Sequence, residues 1–238
     1  MQRDGVNPFI REDLWVQSEN STVALIQKYS RPGDKILDVG VGLGRLLSHC
    51  PNLQKYGMDI SLGYLEVAQS KGIEVCYALI EDMPYEGKTF GIVVATDVLE
   101  HVLDLNLCVA KILSVLVEDG VLIVRVPYRE DLSQYVSPNY PYKYVHLRSF
   151  DESSLCLLFE RVFQCKVIET TMTGHVPSMS SLKYTYPFFP RGYYVLERCF
   201  AMLKMIYEPL YNTLLKNLYN AIEINLVVKK RSADPVAS

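Results

Sequence analysis

The sequence lacks long apolar stretches, an excess of basic residues and closely spaced cysteines. No segment reaches ~18 uncharged apolar residues, the length that a membrane-spanning helix needs, so we expect no membrane span. The 24 Lys and Arg residues are outnumbered by 27 Asp and Glu residues, which argues against nucleic acid as a partner. The opening residues MQRDG are not followed by the apolar run of a secretory signal, and we therefore expect a cytoplasmic protein.

The six cysteines form no Cys-x-x-Cys pair, so a zinc site or a disulfide framework is not expected. Their spacing predicts free thiols in a reducing compartment. Apolar residues make up 49% of the 238 residues and charged residues only 21%, a composition that is typical of a folded chain rather than a disordered one.

Short β-rich runs alternate with helical runs up to about residue 170, which predicts an α/β fold with a mainly parallel sheet. The predicted strands are Lys35–Val39, Lys55–Ile60, Glu74–Leu79, Phe90–Thr96, Gly120–Val126, Cys165–Thr171 and Ile222–Lys229. Helices are predicted after Gly44, from Ser61 to about Lys71, over Leu105–Leu116 and from an N-cap at Asp151. We expect one domain, with an N-terminal lid or helix (1–19), a core (20–175 and 221–231) and an aromatic-rich, mostly helical insertion (176–220).

The sharpest local feature is a glycine-rich turn, Asp38-Val39-Gly40-Val41-Gly42-Leu43-Gly44, between the first predicted strand and a helix. Glycines there allow the backbone to approach a ligand closely. Arg45 occupies the position of the last glycine of a dinucleotide fingerprint, and no Gly-Lys-Ser/Thr of a P-loop follows. The turn alone therefore does not identify its ligand.

Acidic residues follow the next strands at their carboxyl ends, where open α/β sheets bind ligands. Asp59 could accept hydrogen bonds from both hydroxyls of a ribose, and Asp82 and Met83 could read and cover an adenine ring. Asp97 follows the fourth predicted strand. The sequence thus predicts a single nucleoside-binding crevice.

With these motifs, the chain resembles class I S-adenosylmethionine-dependent methyltransferases of the ubiquinone-biosynthesis O-methyltransferase type. The resemblance covers roughly residues 20–175 and the final strand, and it includes Val98-Leu99-Glu100-His101-Val102 and His146-Leu147-Arg148-Ser149-Phe150-Asp151. It implies a Rossmann-like sheet of seven mostly parallel strands, with helices on both faces and an antiparallel final strand. It also implies S-adenosylmethionine as the cofactor, bound by Asp38, Gly40, Gly42, Gly44, Asp59, Ile60, Asp82, Met83, Ala95 and Thr96.

The implied reaction is methyl transfer to an oxygen or nitrogen of a small-molecule acceptor, such as a natural product, a sugar or a quinone-like compound. Aligning the acceptor lowers the barrier, and a base that removes its proton lowers it further. His101 and His146 are the candidate bases, although His101 could instead make a structural hydrogen bond. The alternative function is a non-catalytic scaffold that binds S-adenosylmethionine or activates a partner protein. Monomer and homodimer both remain open.

Asp97, Glu100 and His101 are spaced at i, i+3 and i+4, so on a helix they would share one face. They resemble the Glu-x-x-Glu-His divalent-metal triad of ubiquinone-pathway and small-RNA 2′-O-methyltransferases. The alternative is a helix N-terminus stabilised by carboxylates. We predict that second arrangement and no metal.

The segment after the sixth predicted strand is rich in tyrosine and proline. It could form ordinary core helices, a wall and lid over an apolar or aromatic acceptor, or a dimer or membrane-surface patch. The clustering of its aromatic residues favours a pocket, for which we expect Tyr186 and Tyr193 to contact the acceptor. Near the N-terminus, a lid or a packed helix is expected from Phe9, Ile10, Leu14 and Trp15.

Overall fold

A computed structural model describes residues 12–136, 138, 140, 144–177, 198–199, 202–203, 205–207, 210 and 219–230. The sheet has seven strands in the order β3-β2-β1-β4-β5-β7-β6. They are β1 (Lys35–Val39), β2 (Gln54–Asp59), β3 (Glu74–Tyr77), β4 (Phe90–Thr96), β5 (Leu116–Pro127), β6 (Lys166–Pro177) and β7 (Tyr219–Lys229). Strands β1 to β5 pair in parallel, whereas β7 runs antiparallel to β5. The predicted fold class is therefore confirmed.

Helices precede, connect or follow the parallel strands, and two of them begin at a side-chain cap. They are α1 (Glu12–Tyr29), α2 (Arg45–Ser48), α3 (Leu62–Ser70), α4 (Leu105–Ser114) and α5 (Glu152–Cys156), and a π-helical turn, Leu157–Val162, continues α5. A 3₁₀ turn, Leu132–Val136, follows β5. Asp151 caps α5, as predicted, by accepting a hydrogen bond from the Ser154 amide at 2.8 Å.

The predicted end of α4 at Leu116 is wrong, because Leu116 is already the first residue of β5. The carbonyl oxygens of Ser114 and Val115 accept hydrogen bonds from the amides of Lys88, Thr89 and Phe90 at 2.8–3.1 Å. These bonds replace the next helical turn and start the strand. Strand ends differ as well. The strand β5 begins four residues before the predicted Gly120, and the observed bounds of the others are Gln54–Asp59 for β2, Glu74–Tyr77 for β3, Lys166–Pro177 for β6 and Tyr219–Lys229 for β7.

The core has two apolar layers, one on each face of the sheet, because successive side chains of a strand point to opposite faces. Ile36, Val94 and Ile123 belong to one layer. Their neighbours Leu37, Val93 and Leu122 belong to the other, and all six side chains are fully buried or nearly so. The rigid sheet fixes the strand ends that carry the candidate site.

Helix α1 presents a polar face as well as an apolar one to the sheet. Thr22 is buried, and its hydroxyl lies 2.9 Å from Asn225 Oδ1 on β7. For the N-terminal segment, where a lid or a packed helix was expected, the described part is the start of this helix: Leu14 is buried, and the Trp15 ring lies under the Arg45 guanidinium at 3.8 Å. Phe9 and Ile10 lie outside the described residues. Helix α1 also crosses residue 20, where the sequence suggested a boundary.

The chain divides into two compact units, residues 1–173 with 223–238, and residues 174–222. Within the second unit, the Tyr207 amide donates to the Leu203 carbonyl at 2.8 Å, a helical bond that the apolar spacing predicts. The side chains of Met205 and Ile206 are exposed. In the part of the chain that the structure describes, no helix is long and apolar enough to cross a membrane.

Candidate active site

Three glycines shape the turn between β1 and α2, and all three adopt left-handed backbone conformations, with φ of 78° at Gly40, 51° at Gly42 and 70° at Gly44. A Cβ atom at Gly40 would lie 2.5 Å from Val98 Cγ2, so the turn packs closely against the residue after Asp97. Gly42 instead faces open space, with no atom within 4 Å of its ideal Cβ position. The backbone at Gly42 is therefore accessible to a ligand.

Asp59 is fixed beside this turn by two backbone hydrogen bonds. Its Oδ2 accepts from the Gly42 amide and its Oδ1 from the Ser61 amide, both at 2.9 Å. Each carboxylate oxygen keeps a second acceptor site. This arrangement fits a ribose whose two hydroxyls donate to one carboxylate.

The segment that carries the predicted adenine contacts lies next to the end of β2, where Asp59 is located. The Ala78 amide donates to the Asp59 carbonyl at 3.3 Å, which holds the segment after β3 against the end of β2. Ile60 is 54% exposed, Asp82 is exposed, and Met83 packs partly on the core. The exposed apolar side chain of Ile60 and the exposed carboxylate of Asp82 are of the types that suit a purine ring and its amino group.

On the other side of the turn, β4 supplies Ala95 and Thr96. Ala95 pairs in register with Val39 and is fully buried, and Thr96 is half-buried at the strand end. The predicted cofactor residues of β1, β2 and β4 thus lie at neighbouring strand ends. Whether they contact a cofactor stays a prediction.

Asp38 lies beneath the turn, only 2% exposed, and its Oδ1 has no hydrogen-bond partner among the described residues. Burial is the main cause that raises the pKa of this carboxyl to about 8; Arg125 works against the increase, and the nearby Asp59, Asp97 and Glu19 add to it. A cationic ligand group would stabilise the ionised form of this buried carboxyl, so an unpartnered acid in an acidic setting fits a cation. S-adenosylmethionine carries two, an ammonium and a sulfonium.

Arg125, a buried residue of β5, is central to the site, and the sequence reasoning missed it. Its Nη2 donates to Asp97 Oδ2 at 2.5 Å, its Nε lies 3.1 Å from Glu223 Oε2, and its Nη1 donates to Thr22 Oγ1 at 3.3 Å. Burial, and then Asp97, raise the pKa of the Glu223 carboxyl to about 7. An arginine inside the apolar run GVLIVRV was the available signal, because a buried guanidinium needs carboxylate partners.

The prediction that Asp97, Glu100 and His101 start a helix is wrong. Residues 97–103 form turns, and α4 begins only at Leu105, where Asp104 accepts from the Leu107 amide at 2.9 Å. Asp97 has a left-handed φ of 56° and turns towards Arg125. The Arg148 guanidinium holds the following turns by donating to the carbonyls of Leu99, Val102 and Leu103.

These turns place Glu100 and His101 beside His146. Ligand atoms of the three side chains all lie within 4.8 Å of one another, and we call them the carboxylate–imidazole group. Glu100 is fully buried, and neither carboxylate oxygen has a partner among the described residues. Burial, together with Asp97, raises its pKa well above the ordinary value. A divalent cation at this position would be held by these three residues rather than by Asp97, Glu100 and His101, the set that the alternative metal interpretation named.

His101 and His146 are brought together, with ring centroids 4.6 Å apart. His101 Nδ1 lies 3.1 Å from the Val145 carbonyl oxygen, which can only accept, so Nδ1 carries a hydrogen and Nε2 is basic. Burial and the neighbouring His146 lower the pKa of His101. The two histidines predicted as candidate bases therefore lie side by side in the same part of the site.

His146 has two partners that the sequence did not suggest, Glu130 and Tyr135. Its Nδ1 contacts Glu130 Oε2 and lies 3.1 Å from the Tyr135 hydroxyl, which donates to Glu130 Oε1 at 2.6 Å. Burial works to raise the pKa of Glu130, but the hydrogen bonds from His146 and Tyr135 hold it below its ordinary value. The predicted acceptor residues Tyr186 and Tyr193 lie outside the described residues.

Comparison with known proteins agrees with this geometry. Residues 37–124 match a family described as a methyltransferase domain. An uncharacterised protein of Methanocaldococcus jannaschii, MJ1123, is 30% identical over 99 residues, or 42% of this chain and 47% of the relative. The chain spans about half the length of the curated relatives it matches.

Solved structures share the fold at low sequence identity. A complex of the Haloferax volcanii Trm112 methyltransferase activator with a candidate methyltransferase matches at TM-score 0.65 and 16% identity, covering 94% of this chain and 93% of that one. A SAM-dependent methyltransferase of Archaeoglobus fulgidus matches at TM-score 0.59 and 14% identity, covering 89% and 94%.

Proposed function

We propose that the chain is a class I S-adenosylmethionine-dependent methyltransferase that transfers a methyl group from this cofactor to an oxygen or nitrogen of a small-molecule acceptor. The match of residues 37–124 to a methyltransferase-domain family supports the proposal. The observation that supports the proposal is that the predicted cofactor residues and the candidate bases form one continuous series of neighbouring residues. The glycine turn, Asp59 and Asp38 lead through Asp97 and Arg125 to the paired histidines. The side chains proposed to bind the cofactor and those proposed as bases therefore lie at the same edge of the sheet.

In the proposed complex, Asp59 holds the ribose, the segment at Asp82 and Met83 holds the adenine, and Asp38 attracts the ammonium group. When bound, the cofactor supplies a methyl group on a positively charged sulfur, already activated for transfer. The carboxyl groups around Arg125 favour a bound cation because it would stabilise the ionised forms of Asp38 and Glu223, whose pKa values burial raises.

The two histidines are proposed to handle the proton of the acceptor. An acceptor hydroxyl or ammonium loses a proton as its lone pair attacks the methyl carbon, and an imidazole Nε2 can take it. Such a base contributes roughly 10²- to 10⁴-fold to the rate. The exposure of His101 and the partial exposure of His146 leave room for an acceptor beside them.

Residues 174–222 are proposed to contribute the acceptor-binding cap, with Tyr186 and Tyr193 contacting the acceptor. This proposal depends on the sequence alone, since both tyrosines lie outside the described residues. Tyrosine suits the role because its ring packs on an apolar acceptor while its hydroxyl orients a polar one.

An alternative is that the chain binds the cofactor but works only together with a partner protein. The candidate methyltransferase of Haloferax volcanii was solved with the Trm112 activator, which favours testing this case. A scaffold without catalysis would bind S-adenosylmethionine and transfer no methyl group in any combination.

The test combines cofactor binding with methyl transfer. Calorimetry measures the affinity for S-adenosylmethionine, and mass spectrometry follows methylation across a panel of hydroxyl- and amine-bearing small molecules. The Asp59→Ala variant should lose cofactor affinity, whereas Glu66→Gln, an exposed change on α3, should not. Binding without transfer, with or without an added activator, would favour the scaffold.

A further inference from the structure

Glu130 and Tyr135, two residues from the segment after β5, surround the His146 imidazole, and we call these two residues the His146 frame. Glu130 uses both carboxylate oxygens: Oε2 contacts His146 Nδ1, while Oε1 accepts from the Tyr135 hydroxyl at 2.6 Å and from Gln134 Nε2 at 3.3 Å. The Tyr135 ring also lies against the imidazole, with centroids 5.1 Å apart. The imidazole is therefore contacted at Nδ1 by Glu130 and by the tilted ring of Tyr135.

Backbone hydrogen bonds hold together the two segments that carry Glu130 and His146. The Arg129 amide donates to the Phe150 carbonyl at 2.7 Å, and Tyr128 forms a β-bridge with Phe150, which ties the segment after β5 to the segment after His146. Arg129 has a left-handed φ of 51°, a conformation that a non-glycine residue adopts only when its surroundings hold it there. This turn precedes Glu130 directly.

The next turn fixes Tyr135. Asp131 Oδ1 accepts from the Ser133 amide at 2.9 Å and starts the 3₁₀ turn, Leu132–Val136, that carries Tyr135 back to Glu130. The Arg129–Phe150 backbone bond, the turn at Arg129 and the 3₁₀ turn therefore all help to position the Glu130 carboxylate beside the His146 imidazole. Supporting hydrogen bonds and packing of this kind fix the orientation of side chains that act in catalysis or binding.

The hydrogen on Nδ1 decides what the other ring nitrogen can do. An ionised carboxylate can only accept, so Glu130 selects the form of His146 whose Nδ1 carries a hydrogen. Nε2 then has a lone pair and, among the described residues, no hydrogen-bond partner. This nitrogen belongs to the ring that lies beside His101 and Glu100.

We propose that Glu130, supported by Tyr135, is a positioning residue that orients His146 and fixes its tautomer, so that Nε2 takes the proton of the acceptor during methyl transfer. The inference rests on the proposed function. As the acceptor atom bonds to the methyl carbon, the carbon–sulfur bond breaks with its electron pair on sulfur, and the acceptor's proton moves to Nε2. The resulting imidazolium is paired with the Glu130 carboxylate. The site is thus built for acceptors that lose a proton, hydroxyls or amines that carry hydrogen.

The first measurement needs no acceptor. In protein labelled with ¹⁵N-histidine, the ring nitrogens of His146, assigned by a His146→Asn variant among the four histidines, should report hydrogen on Nδ1 at alkaline pH. Glu130→Met, which keeps the length of the side chain but accepts no hydrogen bond, should move hydrogen to Nε2. Glu66→Gln should leave the spectrum unchanged. An unchanged tautomer in Glu130→Met would overturn the proposal.

The second measurement is kinetic and uses an acceptor from the panel. Glu130→Met and Glu130→Gln should lower kcat about 10²-fold or more while changing KM for the acceptor and the cofactor affinity little. Tyr135→Phe should lower kcat about threefold to tenfold, as expected for one lost hydrogen bond. Full kcat in Glu130→Met would overturn the proposal, and so would a fall in thermal stability that accounts for all of the lost rate. Should no acceptor be methylated by the wild type, the proposed function fails, and the tautomer measurement still decides the role of Glu130.

Discussion

Replacing Asp38 by Asn should stabilise the protein in the absence of cofactor, and increasingly so as the pH rises. The Asp38 carboxyl is 2% exposed and its Oδ1 has no partner in the described part of the chain, so its charged form is disfavoured in the folded state. Its pKa rises from 3.8 to about 8, chiefly through burial. Asparagine has nearly the same shape and never ionises.

The sign follows from proton binding. Between about pH 4 and pH 8 the unfolded chain has lost the proton of Asp38 while the folded protein keeps it, so the free energy of unfolding falls as the pH rises. Each pKa unit corresponds to 1.36 kcal/mol, which gives a loss of roughly 4 kcal/mol between about pH 4 and pH 7. The loss levels off above the folded-state pKa.

Urea unfolding at several pH values from about pH 5 to pH 8 measures the effect. The difference in the free energy of unfolding between Asp38→Asn and wild type should grow by about 1.4 kcal/mol per pH unit, because other groups cancel in the comparison. Glu66→Gln serves as the control, with no such slope. A difference that does not change with pH would refute the reasoning, since it would mean that Asp38 is ionised throughout. The same variant should bind S-adenosylmethionine more weakly, because it loses a partner for the ammonium group.

The strands next to the glycine turn could be predicted to the residue from sequence. Lys35–Val39 and Phe90–Thr96 are continuous apolar runs that end at glycines or at an acid, and both match β1 and β4. Parallel strands buried on both faces have this pattern. Once these strands were known, the place of Asp59 at the end of the adjacent strand followed from the order of a doubly wound sheet.

The acid and histidine cluster could not be predicted, because contacts distant in sequence form it. The spacing of Asp97, Glu100 and His101 fits one helix face, but the hydrogen bond from Asp104 to the Leu107 amide starts α4 later. Asp97 is drawn to Arg125, whose position follows from the pairing of Thr96 with Arg125 across β4 and β5. Periodicity carries no information about such pairings.

The partners of His146 show the same limit. Glu130 and Tyr135 belong to a loop whose letters, YREDLSQYV, suggest an ordinary exposed turn. Their role depends on the bond between the Arg129 amide and the Phe150 carbonyl, which joins residues 21 positions apart. The contact between Glu130 and the predicted base His146 could therefore be identified only from the folded structure.

Four further outcomes are expected. Asp59→Ala should weaken S-adenosylmethionine binding by roughly 1.5–3 kcal/mol in calorimetry while the fold persists, and unchanged affinity would remove the ribose assignment. Chelation should leave methyl transfer intact, because we expect the carboxylate–imidazole group to work without metal; activity lost to a chelator and restored by Mg²⁺ would instead assign it a cation. Tyr186→Ala and Tyr193→Ala should slow acceptor turnover with cofactor affinity within about twofold, and unfolding of either variant would point to core packing. Arg125→Met should lower the free energy of unfolding by about 3–5 kcal/mol, because two carboxylates lose their shared cation in a buried setting. Adding Glu223→Gln should recover part of that loss in the same denaturation assay, since it removes one of the unpaired charges. A double variant no more stable than Arg125→Met alone would show that the guanidinium acts through packing, not through its charge.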